Sequence, residues 1–430
     1  MPTRGEHRLR EHRLRERPWI APALLTLLAL VVRAATVALW WDLPLWGDEK
    51  HYWAAAVAMS AGDPYPVYHP PLWGAVLSAV AACTSNPAYG RLLTALLGTA
   101  IVPVVYGLAR TSFSRRVAIV AAALCAVHPE LVGYSHYLWS ETFVALLFAT
   151  AAWMLVATLE GGVRPRRMWA LSAVLGLACL AKESAVILFA AALLTASAVR
   201  FDRKAWVLAG AVAVVAAPVV AYSAYASCRD DRLVLLADAP FKNASLVAHG
   251  GSAREMAPED QQEMFLDDIA GRVVRLPKVY PVQLARLWTP NSFVAHRLVG
   301  APARSGPAAA DGTYEVPQAG VLATLTAAAS VLVVLLGLTG LLVADPSRLR
   351  TFTLWNLVLL SAAPLVFLMC SRFRLPFTVL LIPYAAVFLA DPAAIVRRSI
   401  RPMAWILWGG TVGLYSAVVV AKWSTIGRWG

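Results

Sequence analysis

The stretch WGDEKHYW, Trp46–Trp53, sets four ionisable side chains in a row, Asp48, Glu49, Lys50 and His51, directly after an apolar run. Later, GLACLAKES carries Lys182 and Glu183 between two apolar runs, and SRFRLP carries Arg372 and Arg374 between two more. A carboxylate held at a helix start by backbone N–H groups stays ionised and can accept a proton. Asp48 follows Gly47 and precedes a helix-like run, Glu49 to Ala61, closed by Gly62, so it reads as an N-cap of that kind. Arginine offers a planar fork that binds phosphate oxygens in pairs, which suits Arg372, Arg374 and Arg91. A base beside phosphate-binding cations permits, among other chemistry, displacement of a phosphate leaving group by a hydroxyl.

Each residue also has a plainer use. Asp48 can be a capping or solvated acid, and Glu49 can simply orient its neighbour. Arg372 and Arg374 can snorkel to lipid headgroups. Lys182 and Glu183 can pair with each other, and His69 can donate to phosphate or be an ordinary loop histidine. Arg33, inside the first apolar run, can snorkel or meet a carboxylate. His128, Glu130 and His136 are metal-ligating types at irregular spacing, and no metal or other cofactor is expected.

The elements that position these groups are membrane segments. Of 430 residues, 59% are hydrophobic and 15% charged, more apolar than a soluble domain. Apolar runs lie at about 19–41, 70–83, 89–110, 116–134, 140–158, 168–181, 184–199, 205–226, 318–343, 352–370, 375–391 and 403–421. The net charge of +13 comes from short Arg clusters between those runs, the pattern of cytoplasmic membrane loops, and it does not indicate nucleic acid. The five cysteines form neither a disulfide framework nor a metal spacing. Residues 1–18 repeat EHRLR in tandem and read as a basic cytoplasmic tail.

The basic clusters alternate sides only if 70–83, which opens with Pro70-Pro71, does not cross. The expectation is an all-α polytopic bundle of about eleven transmembrane helices. Residues 19–226 form an N-terminal module whose external loop, 42–88, carries juxtamembrane helices. An extracytoplasmic insert follows at 227–317, then C-terminal helices at 318–430. Asp48, His69, His128, Glu130, His136, Glu141, Lys182, Glu183, Arg372 and Arg374 then gather on one external face. Ionisable groups concentrated at one membrane edge mark a site. The insert holds ten Lys/Arg and eleven Asp/Glu, and Pro258 opens a helix-start pattern within it.

The motifs resemble a known family. GDEKHYWAAAVAMSAGDPYPVYHPPL, with Asp48-Glu49, Tyr52, Met59, Gly62-Asp63 and Pro70-Pro71-Leu72, is similar to the first external loop of the GT-C membrane glycosyltransferases. The branch resembled contains protein O-mannosyltransferases and lipid A aminoarabinose transferases. NPAYGRLLTALLG (Arg91), HPELVGYSHYLWSETF (Glu141), GLACLAKES (Lys182) and SRFRLPFTVLLIPYAA (Arg372, Arg374) resemble its later elements in the same order. The resemblance implies a polyprenyl-phosphate sugar donor, an acceptor that is a lipid, glycan or protein, and an inverting transfer with Asp48 as base. It implies Glu49 beside that base, and His69, Arg91, Glu141, Lys182, Arg372 and Arg374 around donor phosphate or substrate. Tyr68 and His69 depart from the aminoarabinose enzymes, which place an acidic residue and a Lys there. The expected location is a bacterial plasma membrane, with the site on the extracytoplasmic side. Two other functions fit the same composition: a flippase of lipid-linked sugar, which needs no base, and a polysaccharide polymerase or ligase, which would place its decisive residues in the 227–317 loop.

Overall fold

The computed structural model describes residues 19–238, 260, 269–290, 314–315, 320–365, 370–390, 402–422 and 428–429. The N-terminal tail, the basic cluster at 397–401, the Pro258 helix start and much of the insert lie outside the described residues.

The helices in chain order are α1 (Ile20–Leu39), α2 (Asp48–Ser60), α3 (Pro71–Ala81), α4 (Ala88–Ser112), α5 (Arg115–Val127), α6 (Pro129–Tyr134), α7 (Glu141–Glu160) and α8 (Pro165–Ala181). There follow α9 (Val186–Ser197), α10 (Lys204–Asp230), α11 (Ile269–Trp288), α12 (Gly320–Val343), α13 (Arg348–Ala362), α14 (Leu375–Ala390) and α15 (Pro402–Lys422). Two 3-10 turns, Glu183–Ala185 and Ser371–Arg374, introduce α9 and α14. A two-residue antiparallel pair joins Tyr314–Glu315 to Arg428–Trp429.

Length decides which helices can cross about 30 Å of hydrocarbon. Six candidate spans are long and apolar enough: α1, α4, α7, α10, Val321–Val343 of α12, and Ser371–Ala390, which joins α14 to its preceding turn. Pro71–Ala81, Glu183–Ser197 and Gly409–Ala421 are shorter apolar helices. The 11 residues of α3 rise only about 16 Å, too little to cross by themselves. The 116–134 run, expected as one crossing, is two helices. Pro129 disfavours helical backbone at His128, which is extended at ψ 121, and α5 therefore ends at Val127. The corner carries His128 and Glu130 into the interior, where both are buried.

α14 is the central element, with nearly every side chain from Leu375 to Val387 buried. One of its sides joins Leu155, Leu175, Leu188 and Phe352 in a core with α7, α8, α9 and α13. The other joins Val102, Ala118 and Ala149 with α4, α5 and α7. Small residues permit such close helix approach where lipid supplies no hydrophobic drive. Gly340 shows this at α12, where a Cβ would fall 2.3 Å from the Tyr384 carbonyl oxygen. The insert is not wholly apart from the bundle. Leu287 and Trp288, ending α11, are buried, and the Trp288 ring meets Phe377 at 5.7 Å and Tyr415 at 6.1 Å.

Candidate active site

Gly47 starts the site. Its φ of 56° and ψ of −133° lie where a side chain is strained, and this turn lets α2 begin at Asp48. Gly47 is therefore the N-cap, and Asp48 is the first helical residue with no side-chain cap bond. Asp48 and Glu49 occupy the first turn, where the helix dipole favours negative charge. Relieved of capping, the Asp48 carboxylate turns to a residue 324 positions away. Arg372 Nη1 donates to Asp48 Oδ2 at 2.6 Å.

From that contact runs a chain of alternating charge. Arg372 Nε lies 3.5 Å from Glu141 Oε1, and Lys182 Nζ donates to the same Oε1 at 2.8 Å. The Arg372 guanidinium stands 5.0 Å from the Trp139 ring centre and 5.4 Å from Phe373, and Lys182 Nζ stands 5.0 Å from Phe373. These aromatic faces hold the two cations by cation–π attraction and shield them from water. Four elements therefore converge: the start of α2, the start of α7, the end of α8, and the 3-10 turn before α14. Asp48 and Arg372 keep partial access, their side chains 27% and 20% exposed.

Burial alone would raise the Asp48 pKa, but Arg372, His69 and Lys182 together outweigh it and hold the carboxyl well below the usual carboxylate range. Asp48 is thus ionised and, while paired, a weak base. His69 is the reverse case. Burial, aided by Lys182, Arg372 and His51 and opposed by Asp48, lowers its pKa to about 4, so the ring is neutral at neutral pH. It stacks on Tyr52 at 4.5 Å and 15° and meets Tyr68 edge-on at 4.6 Å. Its Nε2 is buried with no hydrogen-bond partner among the described residues. A neutral ring offers a hydrogen bond and no charge, which fits a hydroxyl better than a phosphate dianion. Tyr52 is fixed in turn by its hydroxyl, which donates to Ser140 Oγ at 3.2 Å.

Three residues expected in the site lie beside it. Glu49 and Arg91 are fully buried against each other at 3.4 Å. Glu49 also accepts from the Trp46 and Leu138 backbone N–H groups at 3.0 and 3.1 Å, and Arg91 donates to the Trp41 and Pro44 carbonyls. The pair pins the 40–49 segment and the 138 region onto α4. Arg91 is thereby spent on protein, which opposes its expected role at a donor phosphate, and Glu49 braces the α2 start. Arg374, two residues from Arg372, is likewise interior. It donates to Glu130 Oε1 at 2.7 Å, to Ser330 Oγ at 2.8 Å and to the Thr289 carbonyl, and so ties α6, α12 and the end of α11 together. In a 3-10 turn the two arginines leave the backbone in different directions, one to the site and one to the core. Lys182 pairs with Glu141 and not with its neighbour Glu183. Arg33 is buried and meets no carboxylate among the described residues; it donates to Ser135 Oγ and the Ala126 carbonyl at 3.1 and 3.0 Å.

Trp139 and Phe373 were not singled out by sequence, Tyr52 stood out only as part of the first-loop motif, and Glu130 only as a metal-ligating type and not as the partner of Arg374. The signal for Trp139 and Phe373 was adjacency to charged residues, in LWSETF and SRFRLP, but sixteen Trp in one chain obscure it. No group of three or more His, Cys, Asp or Glu suited to a metal occurs among the described residues. The site carboxylates Asp48 and Glu141 sit against cations.

A family model described as dolichyl-phosphate-mannose-protein mannosyltransferase matches residues 68–222. That range includes His69, Arg91, Glu141 and Lys182. No curated protein sequence matches the chain. The apo crystal structure of the Archaeoglobus fulgidus oligosaccharyltransferase is similar over 96% of this chain and 57% of its own, at 15% identity and a TM-score of 0.52. The same enzyme in complex with Zn and sulfate is similar over 90% and 53%, at 16% identity and 0.52. The chain has the GT-C fold. It spans little more than half the length of that oligosaccharyltransferase.

Proposed function

We propose that the chain is a glycosyltransferase that moves a sugar from a polyprenyl-phosphate donor to an acceptor hydroxyl at the extracytoplasmic membrane edge, with inversion. The observation that carries the reading is the Asp48–Arg372–Glu141–Lys182 chain: one accessible carboxylate in contact with a cation that can leave it for phosphate. The matched mannosyltransferase model supports the donor class.

In this mechanism the donor phosphate engages Arg372 and Lys182, while Glu141 keeps both cations in place. The incoming oxygens compete for Arg372 Nη1 and release Asp48, whose basicity rises at that moment. Asp48 takes the acceptor hydroxyl's proton. The acceptor oxygen bonds to the anomeric carbon as its bond to the phosphate oxygen breaks on the opposite face. The phosphate leaves with the electron pair, its charge met by Arg372 and Lys182. His69 hydrogen-bonds a hydroxyl beside Asp48, and membrane lipid holds the donor's tail. These steps draw on side chains alone. The acceptor is a lipid, glycan or protein exposed on that face.

The test is incubation of purified protein in nanodiscs with polyprenyl-phosphate mannose, polyprenyl-phosphate aminoarabinose and other polyprenyl-phosphate sugars. Release or transfer of sugar supports the reading. Movement of intact donor across proteoliposomes without any cleavage would replace it with the flippase.

A further inference from the structure

We propose that the foot of the long insert, residues 227–238, is a clasp that positions the Tyr68–His69 loop, with Arg229 and Asp238 as positioning residues for the reaction. The inference rests on the glycosyltransferase reading and assigns a role to a segment that no motif marked.

The loop from Gly62 to Pro70 has no regular structure of its own, yet it must hold the His69 ring beside Asp48. Two of its carbonyls are gripped from α10 and the chain beyond. Arg229 Nη1 donates to the Tyr65 carbonyl at 2.6 Å, and the Asp238 backbone N–H donates to the Val67 carbonyl at 3.0 Å. These carbonyls are two residues apart and immediately precede Tyr68 and His69. The gripping segment is itself built to hold a fixed shape. Arg232 binds the Asp238 carboxylate with both Nη atoms, at 2.9 and 2.7 Å. Val234 N–H donates to Ser227 Oγ at 2.8 Å and Leu236 N–H to Ser223 Oγ at 3.1 Å, which folds the chain back onto α10. Asp231 and Leu236 are held at φ of 50° and 71°, conformations that non-glycine residues adopt only when their surroundings enforce them. Val67, Ala226 and Val234 bury one another beneath the grip. On the loop's own side, the Tyr65 hydroxyl donates to the Pro70 carbonyl at 3.2 Å.

The loop is thus clamped at both ends of the stretch 65–70, and the placement of His69 depends on a segment more than 150 residues away in sequence. A fixed fork is better than a lone surface pair here because the bidentate geometry sets direction as well as distance. Arg372 and Lys182 sit on other elements, so the clasp governs the placement of His69 and leaves the phosphate cations untouched.

The experiment compares Arg229→Ala and Asp238→Ala with Arg229→Lys, which keeps one donor for the Tyr65 carbonyl. Two readouts are taken in nanodiscs: hydrogen–deuterium exchange of amides 62–70, and turnover and binding of polyprenyl-phosphate mannose. The alanine variants should exchange faster in 62–70, and kcat should fall about 10- to 100-fold, the effect of roughly 1 Å of misplacement, with donor Kd within about threefold. Arg229→Lys should recover much of both. Unchanged exchange in 62–70 overturns the clasp, as does faster exchange with unchanged kcat. Equal loss of kcat, donor binding and thermal stability in all three variants would make the segment a general strut and also overturn it. If wild-type protein neither transfers nor releases sugar, the glycosyltransferase reading fails, while the exchange result still decides whether the clamp exists.

Discussion

Asp48→Asn should weaken catalysis and strengthen donor binding, two effects of opposite sign from one atom's change. Asp48 Oδ2 holds Arg372 Nη1 at 2.6 Å, and a donor phosphate must displace it. A hydrogen bond to a charged group contributes about 1.5–3 kcal/mol, and with both side chains partly open to solvent the low end, about 1.5 kcal/mol, applies. Asparagine keeps an acceptor oxygen but loses the charge, so part of that competition disappears. Since 1.4 kcal/mol is tenfold, donor Kd should tighten about 3- to 10-fold. Turnover should fall about 10²- to 10⁴-fold, because the group that accepts the proton is gone. The fold should survive: Gly47 caps α2, and Asn adds no volume. The assay pairs equilibrium binding of labelled polyprenyl-phosphate mannose with single-turnover sugar transfer or release in nanodiscs. Near wild-type turnover would remove Asp48 as base. Weakened donor binding would show that Asp48 supports the donor site and does not compete for it.

Arg372→Gln should do the reverse to binding, weakening donor affinity, and should move the acid limb of kcat/KM to higher pH. The sign follows because Arg372 helps hold the Asp48 pKa below its ordinary value; without it burial is less opposed, and ionisation is lost at higher pH as the solution is acidified. An unmoved limb would refute the Asp48 assignment. Arg374→Gln should instead destabilise by about 3–5 kcal/mol, by leaving Glu130 buried and uncompensated, which a thermal-unfolding shift would read. Stability equal to wild type would mean Arg374 is not a strut. His69→Asn should lower kcat without adding any pH dependence between pH 5 and 8, because the His69 pKa of about 4 keeps the ring neutral there; a profile that changes shape in this window would show a charged imidazole in the working site. A single cysteine at Ser85, in a cysteine-free background, should be labelled from outside the cytoplasm; labelling only from the cytoplasmic side would invert the proposed sidedness.

What the sequence determined by itself follows from local physics. Apolar runs long enough to span lipid, and Arg clusters between them, specify a polytopic helical protein whatever their mutual packing. The alternation of the Arg clusters, with the Pro70-Pro71 start, is what set 70–83 apart as a run that does not cross. Asp48, Glu141, Lys182 and Arg372 stood out because a charge at a membrane edge is expensive unless used. Pairing was a different matter. Nothing within a few residues distinguishes Arg372 from Arg374, since the two share charge and turn, and Asp48 was set apart from Glu49 only by its place after Gly47 and by the family resemblance. A helix start and a 3-10 turn rotate neighbouring side chains apart, so one member of each pair reached the site and the other the core. That choice, with the burial of Glu130 by the break at Pro129, the Trp139 face under Arg372 and the grip of 229–238 on the His69 loop, joins residues from 42 to 324 positions apart. Only tertiary packing brings such residues within hydrogen-bond range, and only there does a buried charge find the partner that decides whether it holds the fold or faces the substrate.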